Sequence, residues 1–401
     1  MSSEIIKIAG TGCALADFLY TQARFISPQF AQYQSVTDGD GGLSPGKLVF
    51  TEELEKFAQK PYTQILPDII GDTNFDNVNI GGPSLVALIH AAQLLPKNEY
   101  AVSFYGCTGQ DETAKLIIDL LNKTPLNIDN YIALGSKRTA FTDVLSDPTY
   151  DDGNGERTFI NNIGASWDYT PEMLPESFFE ADIVCFGGTA LVPQIHDNLT
   201  ALLQKAKANN CITVVNTVFD FRNEKKNPNK CWPLGDCPET YKLIDVLLMD
   251  CEEALKISGS ATIDEAASYF CKQDLSSFII TNGSKNIYAY SNGRLFNAVE
   301  LVQLPVSETI KNQLKNNSIA KGDTTGCGDN FAGGIIASLA WQLKNLPSDK
   351  YDLFNAVSWG VASGGYACFY VGGTYIEQNE GEKLEKVIPY QKEYLEIIMS
   401  K

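Results

Sequence analysis

The chain has 401 residues, 44% of them hydrophobic, which is enough for one large α/β domain or two smaller ones around a substantial core. Acidic residues outnumber basic ones 49 to 31, and the formal charge of −18 repels phosphate backbones and anionic lipid surfaces, so neither nucleic acid nor a membrane is expected as a partner. The densest basic cluster, Arg222, Lys225, Lys226 and Lys230, is broken by Glu224, Pro228 and asparagines and reads as a solvated loop.

In chain order, MSSEIIKIAGTG lacks a basic segment followed by a long apolar one, and nowhere do about 18 apolar residues run together. Ten cysteines form no C-x-x-C pair, and only His90 and His196 accompany them. A reducing, cytoplasmic location is expected, with Cys231 and Cys237 as free thiols. Strand-like runs at 5–10, 100–106, 182–188, 211–218, 244–250 and 276–283 alternate with helical stretches at 83–95, 111–121, 191–210 and 262–273. This alternation, expected to continue to the C-terminus, predicts an α/β fold: a mostly parallel central sheet with helices on both faces. Residues 25–80 and 138–163 break the rhythm with β-branched and aromatic residues between Asp, Gly and Asn turns. Neither segment is long enough for its own core, so both are placed as a small β lid on a single domain spanning 1–401. The turn-rich stretch 221–238 reads as a surface excursion.

The most informative stretch is KGDTTGCGDNFAGG at 321–334. Beyond residue 328, Phe331, Ile335, Ile336, Leu339 and Leu343 fall on one helical face, so the glycine-rich segment supplies a helix N-terminus. Free N–H groups there hold an anion, and Gly326 and Gly328 clear its approach. Gly333 and Gly334 fall inside the helix at about 1 kcal/mol each relative to alanine, which predicts that something packs close against them. Asp329 beside an anion cradle suits phosphoryl transfer, although as a bare G-x-G-D it equally suits an N-cap.

DTTGCGDNF resembles the D-T-T-G-A-G-D-x-F signature of the ribokinase-like (PfkB) sugar kinases. The resemblance extends along nearly the whole chain: GTGCALADFLY near the start, IGGPSLVALIHAAQLL, FYGCTGQDE, GNGERTFINNIGA, DCEEALKISG and TNGSKN each resemble a segment of that family. It implies an ATP-dependent phosphotransferase acting on a hydroxyl of a small carbohydrate, with Mg²⁺ and a monovalent cation such as K⁺. By the same resemblance Asp329 is the base, and the amides of Gly326, Cys327 and Gly328 form the anion hole. Asp17, Gly81, Gly82 and Arg157 bind substrate, while Thr281, Gly283 and Asp250 lie at the nucleotide. Glu253 organises Mg²⁺, and Asp323 and Thr325 surround the monovalent ion. A homodimer through the lid edges is left open.

From the residues themselves, Asp17 after an apolar strand reads better as a turn acid, Glu253 near a helix start complements the dipole so that its metal role rests on the resemblance, and Arg157 equally suits substrate or an ion pair with a neighbouring acid. Cys327, where alanine is usual, is either a passive small residue or a thiol acidified by the helix start. An ordinary aspartate, near pKa 3.9, is a weak base towards an alcohol, so Asp329 is expected mainly to position the hydroxyl. Three departures stand out: Ser84-Leu85-Val86 where the substrate loop has an asparagine, Asp250 for the first asparagine of N-x-x-E, and Asn286 for the last glycine of T-x-G-x-x-G. A nucleoside kinase, with Phe141, Tyr150 and Phe159 covering a purine, and a non-catalytic ligand-binding regulator are the alternatives. A dinucleotide oxidoreductase fits poorly, because GTGCAL lacks the third glycine of G-x-G-x-x-G.

Overall fold

The computed structural model describes residues 5–37, 39–71, 74–153, 155–316, 322–346 and 350–400. Its strands, in chain order, are β1 (Ile6–Gly12), β2 (Leu15–Tyr20), β3 (Leu48–Phe50), β4 (Asn77–Gly81), β5 (Tyr100–Thr108), β6 (Asn127–Ala133) and β7 (Phe141–Asp147). They continue with β8 (Glu156–Asn162), β9 (Ile183–Gly187), β10 (Ile212–Asn216), β11 (Val246–Asp250), β12 (Ser277–Thr281), β13 (Ile287–Ser291) and β14 (Val299–Leu304).

A nine-stranded sheet takes the order β14-β13-β12-β11-β10-β9-β1-β5-β6. From β12 to β6 every pairing is parallel. Strands such as IVCFG and ITVVN are buried almost throughout, as required where helices cover both faces. All six predicted strands appear here, and the predicted helix at 191–210 is divided at Asn198 into Pro193–Asp197 and Leu199–Ala208.

The alternation does not persist to the C-terminus. β13 and β14 run antiparallel, and helices follow them. Residues 282–286 explain the change: a parallel return needs a crossover of a dozen or more residues, whereas so short a link permits only reversal.

A second sheet, β3-β8-β7-β2-β4, gathers strands from both segments expected to form a lid together with β2, which lies outside them, and is reached directly from β1 through Cys13 and Ala14; it is called the lid below. Its centre is the β7–β8 hairpin, with β2 lying parallel to β7. Residues 25–80 form no hairpin: they supply β3 and β4 to this sheet, and the stretch between carries helices at Pro28–Ala31, Thr51–Ala58 and Tyr62–Ile70. Burial of Thr51 and Leu54, then of Tyr62, Ile65 and Ile69, follows the helical period. The excursion at 221–238 is also more than surface loop: Phe221–Lys226 is helical and Trp232 is buried.

The helix Cys327–Asn345 runs through the core between Pro83–Leu94 and Leu353–Ala367. Its interior glycines mark the two contacts: a Cβ on Gly333 would lie 2.5 Å from the Ala87 carbonyl oxygen, and one on Gly334 2.5 Å from that of Trp359. The glycines let two neighbouring backbones approach, one on each side.

Candidate active site

The N-terminus of the Cys327 helix opens beside the carboxyl ends of β10, β11 and β12, the edge where open parallel sheets bind ligands. Gly326 is its N-cap at φ +70°, and a Cβ there would come within 2.5 Å of the Gly373 Cα, so only glycine permits both the turn and the approach. Gly328 faces open space. The Cys327 N–H makes a long 3.3 Å bond to the Thr324 carbonyl. Asp329 is the third residue of the helix rather than its cap.

Side chains within and beyond the motif clamp this turn. Asn330 Nδ2 donates to the carbonyls of both Gly326 and Gly373, each at 2.8 Å. Its Oδ1 accepts from the Tyr370 hydroxyl at 2.9 Å and from Lys383 Nζ at 3.1 Å. Lys383 is 1% exposed, and burial pushes its ammonium down to about 7, with Glu377 opposing the shift. Neither side chain was given a role from sequence: Asn330 stood unassigned inside DTTGCGDNF, and Lys383 lies beyond the quoted motifs.

Asp329 lies at the floor of the cleft, and burial raises its carboxyl to about 6. It is therefore a stronger base than the ordinary aspartate expected from sequence. Asp17, in the lid strand β2, is pushed up to about 7, first by burial and then by repulsion from Asp329 and Asp323. The Thr142 hydroxyl and the Arg157 charge oppose this shift. A Cβ on Gly81 would fall 2.2 Å from Asp17 Oδ2, and one on Gly82, at φ +96°, 2.6 Å from the Cys13 carbonyl oxygen. The glycine pair thus lets β4 turn into its helix directly against the acid. At the position of the missing asparagine, the Ser84 hydroxyl donates to the Thr11 carbonyl at 3.0 Å, and Leu85 and Val86 are buried.

One cavity joins Gly328 and Asp329 to Asp250, Glu253, Thr281 and Asn216. Asp250 and Glu253 form a reciprocal cap: Asp250 Oδ1 accepts from the Glu253 N–H at 2.8 Å, and Glu253 Oε2 accepts from the Asp250 N–H at 3.0 Å. The Thr217 hydroxyl donates to the same Oε2 at 2.5 Å. Burial, then repulsion from Asp250, raises Glu253 to about 8. Asp250 and Thr281 pair across β11 and β12, and Gly283 follows at φ +54°. Among the described residues no three His, Cys, Asp or Glu side chains converge as a metal cluster. The Asp250–Glu253 pair suits Mg²⁺, which keeps several waters and takes few protein carboxylates. Asn216 and Thr217 were missed in the sequence; their signal was polar side chains at the carboxyl end of a buried strand.

The structure bears on several readings left open above, and Arg157 forms the ion pair that was one of its two. Arg157 pairs with Asp323, its Nη1 3.0 Å from Asp323 Oδ2 and 2.6 Å from Thr325 Oγ1. Phe141 is buried within the lid against Phe18 and Tyr62, so it is not placed to cover a purine. Cys327 is not acidified: its thiol lies 3.3 Å from Cys368 Sγ, and that hydrogen bond together with burial pushes it up. Cys231 and Cys237 are free.

The description of a pfkB family carbohydrate kinase matches residues 77–379, which takes in the glycine pair at 81–82, the β7–β8 hairpin, Asp250, Glu253 and the Cys327 helix but not Asp17. The chain belongs to the pfkB carbohydrate kinase family. Members of this family are phosphotransferases. Solved structures support the fold of this pfkB chain. A Schistosoma mansoni adenosine kinase in complex with 2-fluoroadenosine is 18% identical with a TM-score of 0.65, over 92% of this chain and 96% of that one. A putative ribokinase II from E. coli, in complex with ATP and Mg²⁺, is 16% identical with a TM-score of 0.62, over 97% and 100%. A probable sugar kinase from Rhizobium etli is 13% identical with a TM-score of 0.67, over the same shares. No described helix is long and apolar enough to cross a membrane.

Proposed function

We propose that this chain transfers the γ-phosphoryl group of ATP to a hydroxyl of a small carbohydrate. The observation that carries the reading is the single cavity in which Asp329, raised to about 6, adjoins the glycine-lined helix start and the Asp250–Glu253 pair. Asp17 binds acceptor hydroxyls from the lid side and holds one of them towards Asp329. As that oxygen bonds to the γ-phosphorus and the bond to the β-bridging oxygen breaks, the hydroxyl proton passes to Asp329. A base near 6 is ionised at neutral pH yet accepts the proton more readily than an exposed carboxylate. The amides of Gly326, Cys327 and Gly328 and the helix dipole stabilise the transferring group. Thr281 and Gly283 lie along the nucleotide. When bound, Mg²⁺ neutralises phosphate charge; Glu253 and Asp250 would hold it through water.

A second reading, phosphorylation of a nucleoside, is favoured by the likeness to the Schistosoma mansoni adenosine kinase. Incubation with γ-labelled ATP, Mg²⁺ and a panel of sugars and nucleosides tests both. Label in a sugar is the expected result; label in a nucleoside alone overturns the sugar assignment. Absence of transfer to any acceptor overturns the kinase reading.

A further inference from the structure

The resemblance to the family assigned Asp323 and Thr325 to a monovalent cation, but their atoms are already engaged. Asp323 Oδ1 accepts from the Thr325 N–H at 2.9 Å and the Gly372 N–H at 3.3 Å. Asp323 Oδ2 and Thr325 Oγ1 both face Arg157 Nη1, at 3.0 and 2.6 Å. A guanidinium is charged throughout the working pH range, so a metal ion taking these oxygens would stand beside a fixed positive charge. The pair does not fit a solvent cation while Arg157 is in place.

We infer that Arg157 is a built-in cation of the anion cradle, replacing a monovalent metal ion, and that phosphotransfer in this chain needs no K⁺. The inference rests on the kinase reading above. Arg157 is the second residue of the lid strand β8, whereas Asp323 and Thr325 lead into the Cys327 helix. One guanidinium therefore ties the lid to the turn that presents the Gly326–Gly328 amides. It also sets a positive charge among Asp17, Asp323 and Asp329, where three carboxylates would otherwise repel an incoming phosphate. The Arg157–Asp323 pair is mostly sheltered from solvent, so salt screens it less than an exposed pair. Arg157 is thus a positioning residue, acting on the cradle through Asp323 and Thr325.

The test uses the full chain with ATP, Mg²⁺ and an acceptor identified by the panel, at constant ionic strength in choline, sodium, potassium or rubidium chloride. The wild type is expected to turn over within about twofold of one rate in all four salts, whereas Arg157→Ala loses on the order of a hundredfold in kcat in choline. Potassium should restore about tenfold in that variant by filling the vacated charge position, and Arg157→Lys should recover activity without potassium. Melting temperatures supply a readout independent of turnover: K⁺ should leave the wild type unchanged and raise Arg157→Ala specifically. Strong K⁺ stimulation of the wild type would overturn the inference. So would an Arg157→Ala protein that neither K⁺ nor lysine rescues. If no acceptor is phosphorylated the kinase reading falls, and the melting temperatures decide this inference alone: K⁺ raising the wild type refutes it.

Discussion

The main sheet and the lid bury different chemistry. β9 and β10 bury Ile183, Val184, Phe186, Val214 and Val215 with Thr213 and Asn216 as their buried polar residues and no buried carboxylate, so their geometry follows mainly from apolar burial against helices on both faces. The lid buries Thr142, Asp143, Asp147, Thr158 and Asn161, and each needs a partner. Asp147 accepts from the Phe25 N–H at 2.8 Å and from the Thr149 N–H at 2.9 Å, and the Asn161 side chain donates to Thr142 at 2.9 Å. Tyr62 donates to Asp143. Apolar burial tolerates small shifts, whereas hydrogen bonds to buried groups hold one arrangement, because an unpaired buried polar group costs about 1–3 kcal/mol. The sheet therefore gives the site its floor, while the lid's polar contacts fix where Asp17 and Arg157 stand.

The sharpest test of the floor is Asp329→Asn, which removes the base without changing shape. Its kcat is expected to fall by about 10²–10⁴ while ATP affinity, measured by calorimetry, is retained. Wild-type turnover would remove Asp329 from its role. Next in size is Gly333→Ala, whose methyl would meet the Ala87 carbonyl oxygen; overpacking of about 1–3 kcal/mol should appear as a lower Tm. In the lid, Tyr62→Phe should cost about 1 kcal/mol locally. Hydrogen exchange should quicken in β2 and β7 and stay unchanged in β9 and β10; uniform acceleration would erase the contrast between the two regions.

The pH response should be milder and has a defined sign. Asp17, Asp143 and Asp329 have folded-state pKa values of about 7, 6 and 6, above the ordinary carboxylate value. Between pH 4 and pH 7 (roughly the unfolded value and the highest of these three) these carboxyls hold more protons in the folded chain than in the unfolded one, so their contribution to stability falls as pH rises; Glu253, raised to about 8, acts with them, and His90, whose pKa burial lowers, acts against them. Asp17→Asn should flatten that slope in denaturant titrations. Activity moves the opposite way: kcat/KM should rise with pH through an apparent midpoint near 6 to 7, set by Asp329 and Asp17 together.

How much of this was legible in the sequence varied with sequence distance and pattern. The parallel strands could be read because runs such as ITVVN are buried on both faces, and the Cys327 helix because its apolar residues keep one period after a glycine turn. The helices Thr51–Ala58 and Tyr62–Ile70 were hidden by their shortness and by Pro67. The clamp from Lys383 through Asn330, and Arg157 upon Asp323, join residues 53 and 166 positions apart. No local pattern of period or turn chemistry encodes such contacts. Asp329 was recognisable by its neighbours, but its raised pKa depends on burial that only the assembled cleft supplies.

The most direct measurement is a crystal structure of the full chain with Mg²⁺, a non-hydrolysable ATP analogue and the acceptor. The account predicts the γ-phosphate within about 3.1 Å of amides at 326–328 and the acceptor hydroxyl within about 3.2 Å of an Asp329 carboxyl oxygen. A γ-phosphate bound elsewhere, or an Asp329 carboxylate turned away from the acceptor, would contradict it.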